Sequence, residues 1–367
     1  MKIKKLVLTL SVLSTAFCVL SFTGSAAVSS AGAADFAGKK ITMIIPFEEG
    51  GGSTVHARFF VPLLEKALPG NPSILIRNID GGGSVKGINY FADHAKPDGM
   101  MIAGTGSGTF FKYVLGEKTV KYNLPEFIPF LSSPFGVIVY ARSETGVKGP
   151  EDIKKLQGMP LIFAGSGPTA GDLPALLSFD LLGIKLKTVF GLDNAESRQA
   201  FNRGESNINY DNMASWSSKV LPMVKEGKAV PLFTYGFRGK GGKIVRDPQL
   251  PEIPTFFEVY QSIHGKELSG TERNVWLTLF NIRVTGSKMY VLPAGTPKDI
   301  VDTYNTAMEK VVTSDEFNSK QGQKILGGYP QTTGAEAVET LKEAAVMSPD
   351  ESAWLKDWLK RAYGVLL

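Results

Sequence analysis

Short apolar segments alternate with stretches of helical periodicity along most of this chain. The segments are apolar or β-branched and are bounded by glycine, proline or asparagine, which is typical of buried strands. Strands that alternate with helices predict an α/β fold with largely parallel sheets. The predicted strands are Ile41–Pro46, Ser73–Asn78, Met100–Gly104, Val137–Ala141, Pro160–Ala164, Asn207–Asp211 and Ala229–Thr234.

Helical periodicity fills several of the gaps between these strands. The clearest helix is Pro297–Val312, whose apolar residues form one stripe, and Thr296 is predicted as its N-cap. Thr333 and Ser348 are each followed three residues later by glutamate, which predicts two capping boxes. The segment Thr255–Ser287 mixes polar and apolar residues without a clear period, and we interpret it as a connection between two lobes, with an insertion.

The N-terminus has the layout of a secretory signal peptide. Three lysines precede an apolar run that ends near Phe22, and small residues follow it. Cleavage after Ala27 or Ala33 is expected, so the signal peptide covers residues 1–33 and the mature protein is periplasmic. The alternative is an uncleaved membrane anchor, which is disfavoured because the apolar run is slightly short for a transmembrane span.

Cysteine content and charge exclude several classes of function. Cys18 is the only cysteine and lies in the predicted signal peptide, so no disulfide is expected in the mature chain. Three of the positive charges behind the net charge of +5 also lie there, and a nearly neutral mature chain argues against a nucleic-acid partner. The three histidines are far apart in sequence, so no metal or other cofactor is expected.

Three glycine-rich loops follow predicted strands and precede predicted helices. They cover residues 47–54, 103–109 and 163–169 and combine glycine with serine or threonine. Backbone N–H groups at helix N-termini bind anions, and ligands of open α/β sheets lie beyond the carboxyl ends of the strands. The sequence therefore predicts one anion site where the loops converge, while the alternative of simple capped turns stays open for each single loop.

Several individual residues near these loops have two interpretations. His56 could contact the ligand, but a solvated helix residue is preferred, and Glu48 and Glu49 are interpreted as solvated carboxylates. Asp211 could accept hydrogen bonds from the ligand or cap the helix around Ser215–Val224. Apart from Arg58, the loops contain no cation, so backbone N–H groups and hydroxyls are expected to hold the anion.

Motifs for enzyme chemistry are weak. No serine has glycine two residues away on both sides, as a nucleophile elbow requires. Residues 165–170 fit the loose dinucleotide pattern, and Asp193 lies at about the right distance beyond them. An exported protein rarely meets a nicotinamide cofactor, so this interpretation is disfavoured and the protein is not expected to be an enzyme.

The loops, in this order and with this spacing, resemble the Bug/TctC family, the periplasmic substrate-binding proteins of tripartite tricarboxylate transporters. The resemblance runs from about residue 40 to the C-terminus. The most distinctive match is Pro293–Pro297, which opens an amphipathic helix. The other matching stretches are Ile41–Arg58, Pro97–Thr105, Tyr122–Pro134, Gly165–Gly167, Gly204–Asp211 and Pro251–Thr255.

The resemblance implies a two-lobed α/β periplasmic-binding-protein fold, of the Venus flytrap (type II-like) class, with two chain crossings. One lobe is expected to hold residues 34–134 and 285–367, and the other residues 135–284. In such proteins backbone amides and ordered waters bind the ligand carboxylate. The ligand-binding residues implied here are Phe47, Gly50, Gly51, Gly52, Ser53, Thr54, Thr105, Gly106, Ser107, Ser166, Gly167, Thr169 and Asp211.

The resemblance also implies a function and partners. The expected ligand is a small carboxylate (a dicarboxylate, a tricarboxylate or an aromatic acid) that is delivered to membrane permease subunits of a tripartite tricarboxylate transporter. The chain departs from the family pattern at Glu48-Glu49, where Ala-Pro is common, and at Thr54, where Asp is common. The alternatives are an exported receptor that signals to a membrane sensor and an exported hydrolase or isomerase.

Export generates the first testable prediction. N-terminal sequencing of protein from the periplasmic fraction should give a mature chain that begins near Val28 or Ala34, because the small residues before these positions suit signal peptidase. A membrane-bound product that retains Met1 would contradict the signal-peptide assignment.

Overall fold

The computed structural model describes residues 34–367, so the predicted signal peptide and Cys18 lie outside the described residues. Every strand predicted from the sequence is present, with ends that shift by at most two residues. The strands are β1 (Lys40–Ile45), β2 (Ser73–Asn78), β3 (Met101–Gly106), β4 (Ile128–Ser133), β5 (Val137–Arg142), β6 (Leu161–Gly165), β7 (Leu186–Phe190), β8 (Ile208–Asn212), β9 (Ala229–Thr234), β10 (Phe237–Arg238), β11 (Ile244–Val245) and β12 (Lys288–Leu292).

Helices connect most of these strands. The helices are α1 (Gly52–Ala67), α2 (Val85–His94), α3 (Ser107–Val114), α4 (Leu173–Leu181), α5 (Asn194–Arg203), α6 (Met213–Ser215), α7 (Leu221–Lys225), α8 (Phe256–His264), α9 (Gly270–Phe280), α10 (Lys298–Thr313), α11 (Lys320–Leu326), α12 (Gly334–Ala345) and α13 (Pro349–Tyr363). Two π-helical turns, Trp216–Val220 and Asn281–Thr285, continue α6 and α9. Among residues 34–367, no helix is both long and apolar enough to cross a membrane.

Ten of these strands form two five-stranded sheets with the same internal order, and β10 and β11 form a separate antiparallel pair. The first sheet runs β2-β1-β3-β12-β4 and the second runs β7-β6-β8-β5-β9. The first three strands of each sheet are parallel, whereas β12 and β5 run antiparallel to both of their neighbours. The predicted α/β fold is therefore confirmed, with one antiparallel strand in each otherwise parallel sheet.

The chain passes between the sheets twice, at the segments that precede β5 and β12. The chain leaves the first sheet after β4 and enters the second sheet at β5. It returns to the first sheet at β12. The two crossings are bonded to each other, because the Phe135 N–H donates to the Val284 carbonyl oxygen at 3.0 Å. A side chain at Gly136 would collide with the Asp247 carboxylate and the Tyr329 hydroxyl. The two-lobed fold is confirmed, and the lobe boundaries at residues 134/135 and 284/285 stay a prediction.

The segment 255–287 is largely helical and leads the chain back to β12 of the first sheet, and its interpretation as a connection between lobes with an insertion stays a prediction. Helix α9 carries Trp276, which is fully buried and stacks on Phe256 with ring centroids 4.6 Å apart. The Trp276 indole N–H donates to the Ser178 hydroxyl of α4 at 2.9 Å. Helix α9 buries residues on several sides, which removes the single apolar stripe by which sequence analysis recognises a helix.

Two of the predicted helix caps are wrong. The helix after Thr296 begins at Lys298, and the Thr296 hydroxyl donates to the Pro293 carbonyl oxygen instead. Thr333 is the N-cap residue of α12 but its side chain makes no capping hydrogen bond. The capping box at Ser348 is confirmed, because both of its reciprocal hydrogen bonds with Glu351 are present.

Burial of Trp276 generates a stability prediction. Trp276→Ala should lower the free energy of unfolding by about 3–5 kcal/mol, because it leaves a large cavity in the core. Denaturant unfolding of the purified protein measures this change. The matched control is Trp354→Ala, at a partly exposed position of α13, which should cost clearly less. Equal losses in the two variants would contradict the central packing role of Trp276.

Candidate functional site

Loops from both sheets line one cleft of about 620 Å³. They follow β1, β2 and β3 in the first sheet and β6, β7 and β8 in the second, so the carboxyl ends of the parallel strands meet there, as expected for an open α/β sheet. The lining residues are Pro46, Phe47, Glu48, Gly51, Gly52, Ser53, Asp80, Gly81, Gly83, Ser84, Gly106, Ser107, Gly108, Ser166, Gly171, Asp193, Asn194, Ala195, Tyr210, Asn212, Arg283, Ser287 and Lys288.

The predicted loops do converge on this cleft, although only part of each loop lines it. The predicted residues that line the cleft are Phe47, Gly51, Gly52, Ser53, Gly106, Ser107 and Ser166. The predicted residues outside its lining are Gly50, Thr54, Thr105, Gly167, Thr169 and Asp211. Thr54 is one example: its side chain is buried, and its hydroxyl donates to the Glu48 carbonyl oxygen at 2.8 Å. It therefore stabilises the first loop without lining the cleft.

Two helices begin at the cleft without a side-chain cap. Helix α1 starts after Gly51 and helix α3 starts after Gly106, and neither N-cap residue makes a side-chain capping bond. The positive ends of these helix dipoles and their first N–H groups suit an anion. A Cβ atom at Gly106 would lie 2.9 Å from the Phe47 ring, so glycine at this position lets the first two loops pack together.

Positive φ in the first loop belongs to Gly50, with φ +83°, and not to Gly51, with φ −65°. A side chain at Gly50 would therefore strain the backbone, although Gly50 itself does not line the cleft. A Cβ atom at Gly51 would lie 3.3 Å from the Glu48 carbonyl oxygen. At Gly51 the constraint is thus close approach rather than backbone conformation.

A fourth glycine loop, residues 80–84, lines the cleft and was missed from the sequence. Four of its five residues, Gly81, Gly82, Gly83 and Ser84, have positive φ, at 124°, 61°, 65° and 92°. Positive φ is unusual for serine, and the buried Ser84 hydroxyl is held by the Thr109 hydroxyl, which donates to it at 3.0 Å. The signal was available, because the glycine run follows the predicted strand Ser73–Asn78 as the other loops follow theirs.

The second sheet contributes capped helix ends and a buried tyrosine. Asp193 caps α5, accepting hydrogen bonds from the N–H groups of Ala195 and Glu196 at 2.7 and 2.8 Å. The Tyr210 hydroxyl donates to Asp172 at 2.8 Å, and burial, followed by the Asp172 charge, raises the pKa of Tyr210 well above its usual value. Tyr210 is therefore uncharged, and it forms part of the cleft wall.

Two cations face the cleft, Arg283 and Lys288. The Arg283 side chain is only 6% exposed, and its guanidinium carbon lies 5.5 Å from the centroid of the Tyr210 ring. Its Nε has no hydrogen-bond partner among residues 34–367. The half-buried Lys288 places its Nζ 4.4 Å from the centroid of the Phe135 ring. Within the described part of the chain, neither cation forms an ion pair.

The two cations are close enough to repel each other. Burial, followed by the Arg283 charge, lowers the pKa of Lys288 to about 8. Unpaired charges in a partly desolvated site are costly unless an anion joins them. The part of the cleft around Arg283 and Lys288 therefore suits a negatively charged group.

The sequence analysis expected backbone N–H groups and hydroxyls to hold the anion, and it did not identify these two cations of the cleft. Arg58, the only cation identified from the sequence, is exposed, lies 3.9 Å from Glu49 and does not line the cleft. Arg283 and Lys288 lie more than 170 residues after the second loop in the chain. Only the return of the chain through β12 brings them to the glycine loops, and local sequence patterns carry no sign of that contact.

Asp211 is occupied by other protein groups. Its carboxylate accepts hydrogen bonds from Arg198 at 2.9 and 2.5 Å and from the Tyr140 hydroxyl at 2.9 Å. The expectation that it caps the following helix is wrong, because Asn212 makes that bond to the Ser215 N–H at 3.0 Å. A buried carboxylate with three donors has little capacity left for a ligand, so we leave Asp211 out of the proposed site.

His56 is buried rather than solvated, which contradicts our preferred interpretation of it. Its ring nitrogens lie 2.7 Å from the Tyr290 hydroxyl and 2.9 Å from the Ser133 hydroxyl. Burial, followed by the Lys288 charge, lowers the pKa of His56 well below its usual value. His56 does not line the cleft and instead ties α1 to β4 and β12. Among residues 34–367, no group of three His, Cys, Asp or Glu residues could hold a metal ion.

Comparison with solved structures identifies the fold. MatC from Rhodopseudomonas palustris, solved with malate, is 20% identical, with a TM-score of 0.61 over 88% of this chain and 99% of its own. A TctC solute-binding protein from Polaromonas, solved without ligand, is 19% identical, with a TM-score of 0.61 over 88% of this chain and 99% of its own. A second R. palustris protein, solved with adipate, is 18% identical, with a TM-score of 0.62 over 89% of this chain and 98% of its own.

Sequence comparison adds no closer relationship, since no family model and no curated protein matches the chain. The structural neighbours span nearly their whole length in the match. The chain therefore has the two-lobed α/β fold of the TctC-type and Bug-type periplasmic binding proteins.

Proposed function

We propose that the protein is an exported receptor that binds a small carboxylate in the cleft and delivers it to a membrane transporter of the tripartite tricarboxylate type. The observation that carries this proposal is that one cleft combines two uncapped helix N-termini with Arg283 and Lys288, which have no ion-pair partner among residues 34–367. Neighbours of the same fold were solved with malate and adipate, and both ligands are carboxylates.

A ligand carboxylate would be held by two kinds of donor. The first N–H groups of α1 and α3 donate to it from the first lobe, where the dipoles of both helices favour negative charge. Arg283 offers its guanidinium group from the crossing segment, and Lys288 adds a second positive charge. Charge-assisted hydrogen bonds of this kind contribute about 1.5–3 kcal/mol each.

Binding would be coupled to lobe closure through the position of the two cations. Arg283 and Lys288 flank the second crossing, and Phe135, which contacts the Lys288 ammonium group, lies in the first. A ligand that engages both lobes and this segment binds the closed form better than the open one, so it shifts the population toward closure. The closed form is then the state that permease subunits would recognise in the periplasm.

An enzymatic function has less support from the cleft. Both ring nitrogens of His56 are engaged by Tyr290 and Ser133, and His56 lies outside the lining. The cleft serines Ser53 and Ser107 therefore have no histidine base at hydrogen-bonding distance in the described chain. Neighbours of this fold are binding proteins, which is consistent with a receptor.

Removal of the buried cation tests how the anion is held. We first identify a bound carboxylate by its effect on the melting temperature, which rises with the logarithm of ligand excess. Arg283→Met should then raise Kd for that ligand roughly 30-fold or more, or about 2 kcal/mol, because a charge-assisted bond is lost. Calorimetric titration measures the change. Arg58→Met is the control and should leave Kd unchanged, and the opposite ranking would refute the assigned roles.

The pKa of Lys288 predicts a pH dependence of binding. Above pH 8 the lysine loses its charge in the ligand-free protein, whereas carboxylate ligands stay ionised. Affinity should therefore fall by up to about tenfold between pH 7 and pH 9.5. Lys288→Arg keeps the charge across this range and should flatten the profile. A wild-type profile as flat as that of Lys288→Arg would show that Lys288 does not contribute its charge to binding.

A further inference from the structure

The side of the cleft that belongs to the second sheet has no cation of its own among the described residues. We call it the second-sheet wall, because it lies at the carboxyl ends of β6, β7 and β8. Arg283 reaches this wall only from the second crossing, over the Tyr210 ring. The second-sheet wall consists of Ser166, Gly171, Asp193, Asn194, Ala195, Tyr210 and Asn212. An anion held by the wall itself would depend on neutral donors, chiefly the backbone N–H groups of its loop and of its helix start.

At the helix start in this wall, the backbone donors already have an acceptor. The Asp193 carboxylate accepts hydrogen bonds from the N–H groups of Ala195 and Glu196, and the Glu196 carboxylate accepts the Asp193 N–H at 2.9 Å. The first-sheet side is the opposite case, because the N-cap residues of α1 and α3 make no side-chain capping bond. The N-terminus of α5 therefore lacks the free N–H groups that α1 and α3 offer to an anion.

In the glycine loop of the same wall, Asp172 takes up the backbone donors from inside the protein. Its carboxylate accepts the Gly167 N–H at 2.7 Å, is 1% exposed and makes no ion pair within residues 34–367. Burial raises the pKa of Asp172, while the Gly167 N–H, the Tyr210 hydroxyl and the Ser166 N–H oppose this shift. A Cβ atom at Gly165 would collide with the carboxylate. Asp172 thus occupies the position that a bound anion takes in a glycine loop.

We infer that Asp172 and Asp193 are specificity-determining residues of the cleft: they occupy the backbone donors of the second-sheet wall and exclude a negative group of the ligand from it. This inference rests on the proposed carboxylate-receptor function. The ligand carboxylate binds at the end of the cleft formed by Arg283, Lys288 and the N-termini of α1 and α3. The part of the ligand that contacts the second-sheet wall is then uncharged, because a carboxylate there meets engaged N–H groups and two like charges.

Matched pairs of ligands test this asymmetry. Calorimetric titration of the mature protein at pH 7 compares succinate, glutarate and adipate, each with its monoamide, in which a carboxamide of similar size replaces one carboxylate. At the chain length that spans the cleft, the wild-type protein should bind the monoamide about fivefold or more tightly than the diacid. The reason is that only the second carboxylate of the diacid is repelled by the wall.

Two variants at Asp193 separate the charge from the engaged donors. Asp193→Asn removes the charge and keeps the cap, whereas Asp193→Gly removes the charge and also frees the N–H groups, and both residues are tolerated at N-cap positions. Relative to its monoamide, the diacid should gain about threefold in Asp193→Asn and about tenfold in Asp193→Gly. The ratio within a pair is the measured quantity, since a general disturbance of the cleft changes both ligands alike.

Asp172→Asn tests the buried member with a side chain of nearly the same shape. The diacid should gain about fivefold relative to its monoamide, because the buried charge is removed. Thermal unfolding of the free variant shows whether the fold survives, and the Asp193 variants test the inference independently if it does not.

Glu196→Gln is the matched control. It removes one charge from the same first turn of α5, outside the cleft lining, and its amide oxygen can still accept the Asp193 N–H. It should leave the ratio within each pair unchanged.

The outcomes separate this inference from the proposed function. If Asp193→Gly leaves the ratio at its wild-type value, or if Glu196→Gln shifts it as much as Asp193→Asn, the inference is overturned while the carboxylate receptor stands. A wild-type protein that binds every diacid more tightly than its monoamide overturns it too. If no acid of the panel or of a broader set of mono-, di- and tricarboxylates binds, the carboxylate function itself is wrong, and the inference falls with it.

Discussion

Each sheet depends on a strand that arrives from the other sheet. β12 completes the first sheet between β3 and β4, and β5 completes the second between β8 and β9. Because both inserted strands run antiparallel to their neighbours, the parallel strands around them keep a common direction. The carboxyl ends of those strands therefore meet at one cleft. This arrangement brings the glycine loops, two helix N-termini and two cations together there.

Glycine backbone and charged side chains contribute differently to the cleft. Glycines at positions 106 and 108 allow the loop after β3 to lie close to Phe47 and Gly83 of the two neighbouring loops. The positive charges of the cleft come from Arg283 and Lys288 near the second crossing, and the negative charges include Glu48 and Asp80 on the loops after β1 and β2. A backbone cradle is common to many anion sites, so the pattern of fixed charge is what distinguishes this cleft.

The sequence predicts local features well and distant contacts poorly. Seven of the twelve strands among residues 34–367 and three glycine loops were recognisable because each depends on a few neighbouring residues. The glycine run at Gly81–Gly83 carried the same signal although it was overlooked. Arg283 and Lys288 could not be assigned to the cleft from the sequence, since no local pattern shows that cations so far along the chain lie beside the glycine loops. Asp211 ends a strand as a ligand-binding residue would, and only the position of Arg198 reveals its structural role. Helix α9 was hidden because it is buried on several sides.

The contact between Lys288 and Phe135 joins the two segments that link the lobes, and the backbone bond from Phe135 to Val284 joins them again. Lys288 can serve either the aromatic ring or an incoming anion as its main electrostatic partner. Under the proposed function, an anion in the cleft would attract the same ammonium group that lies over the Phe135 ring, so ligand binding would act directly on a contact between the two crossings.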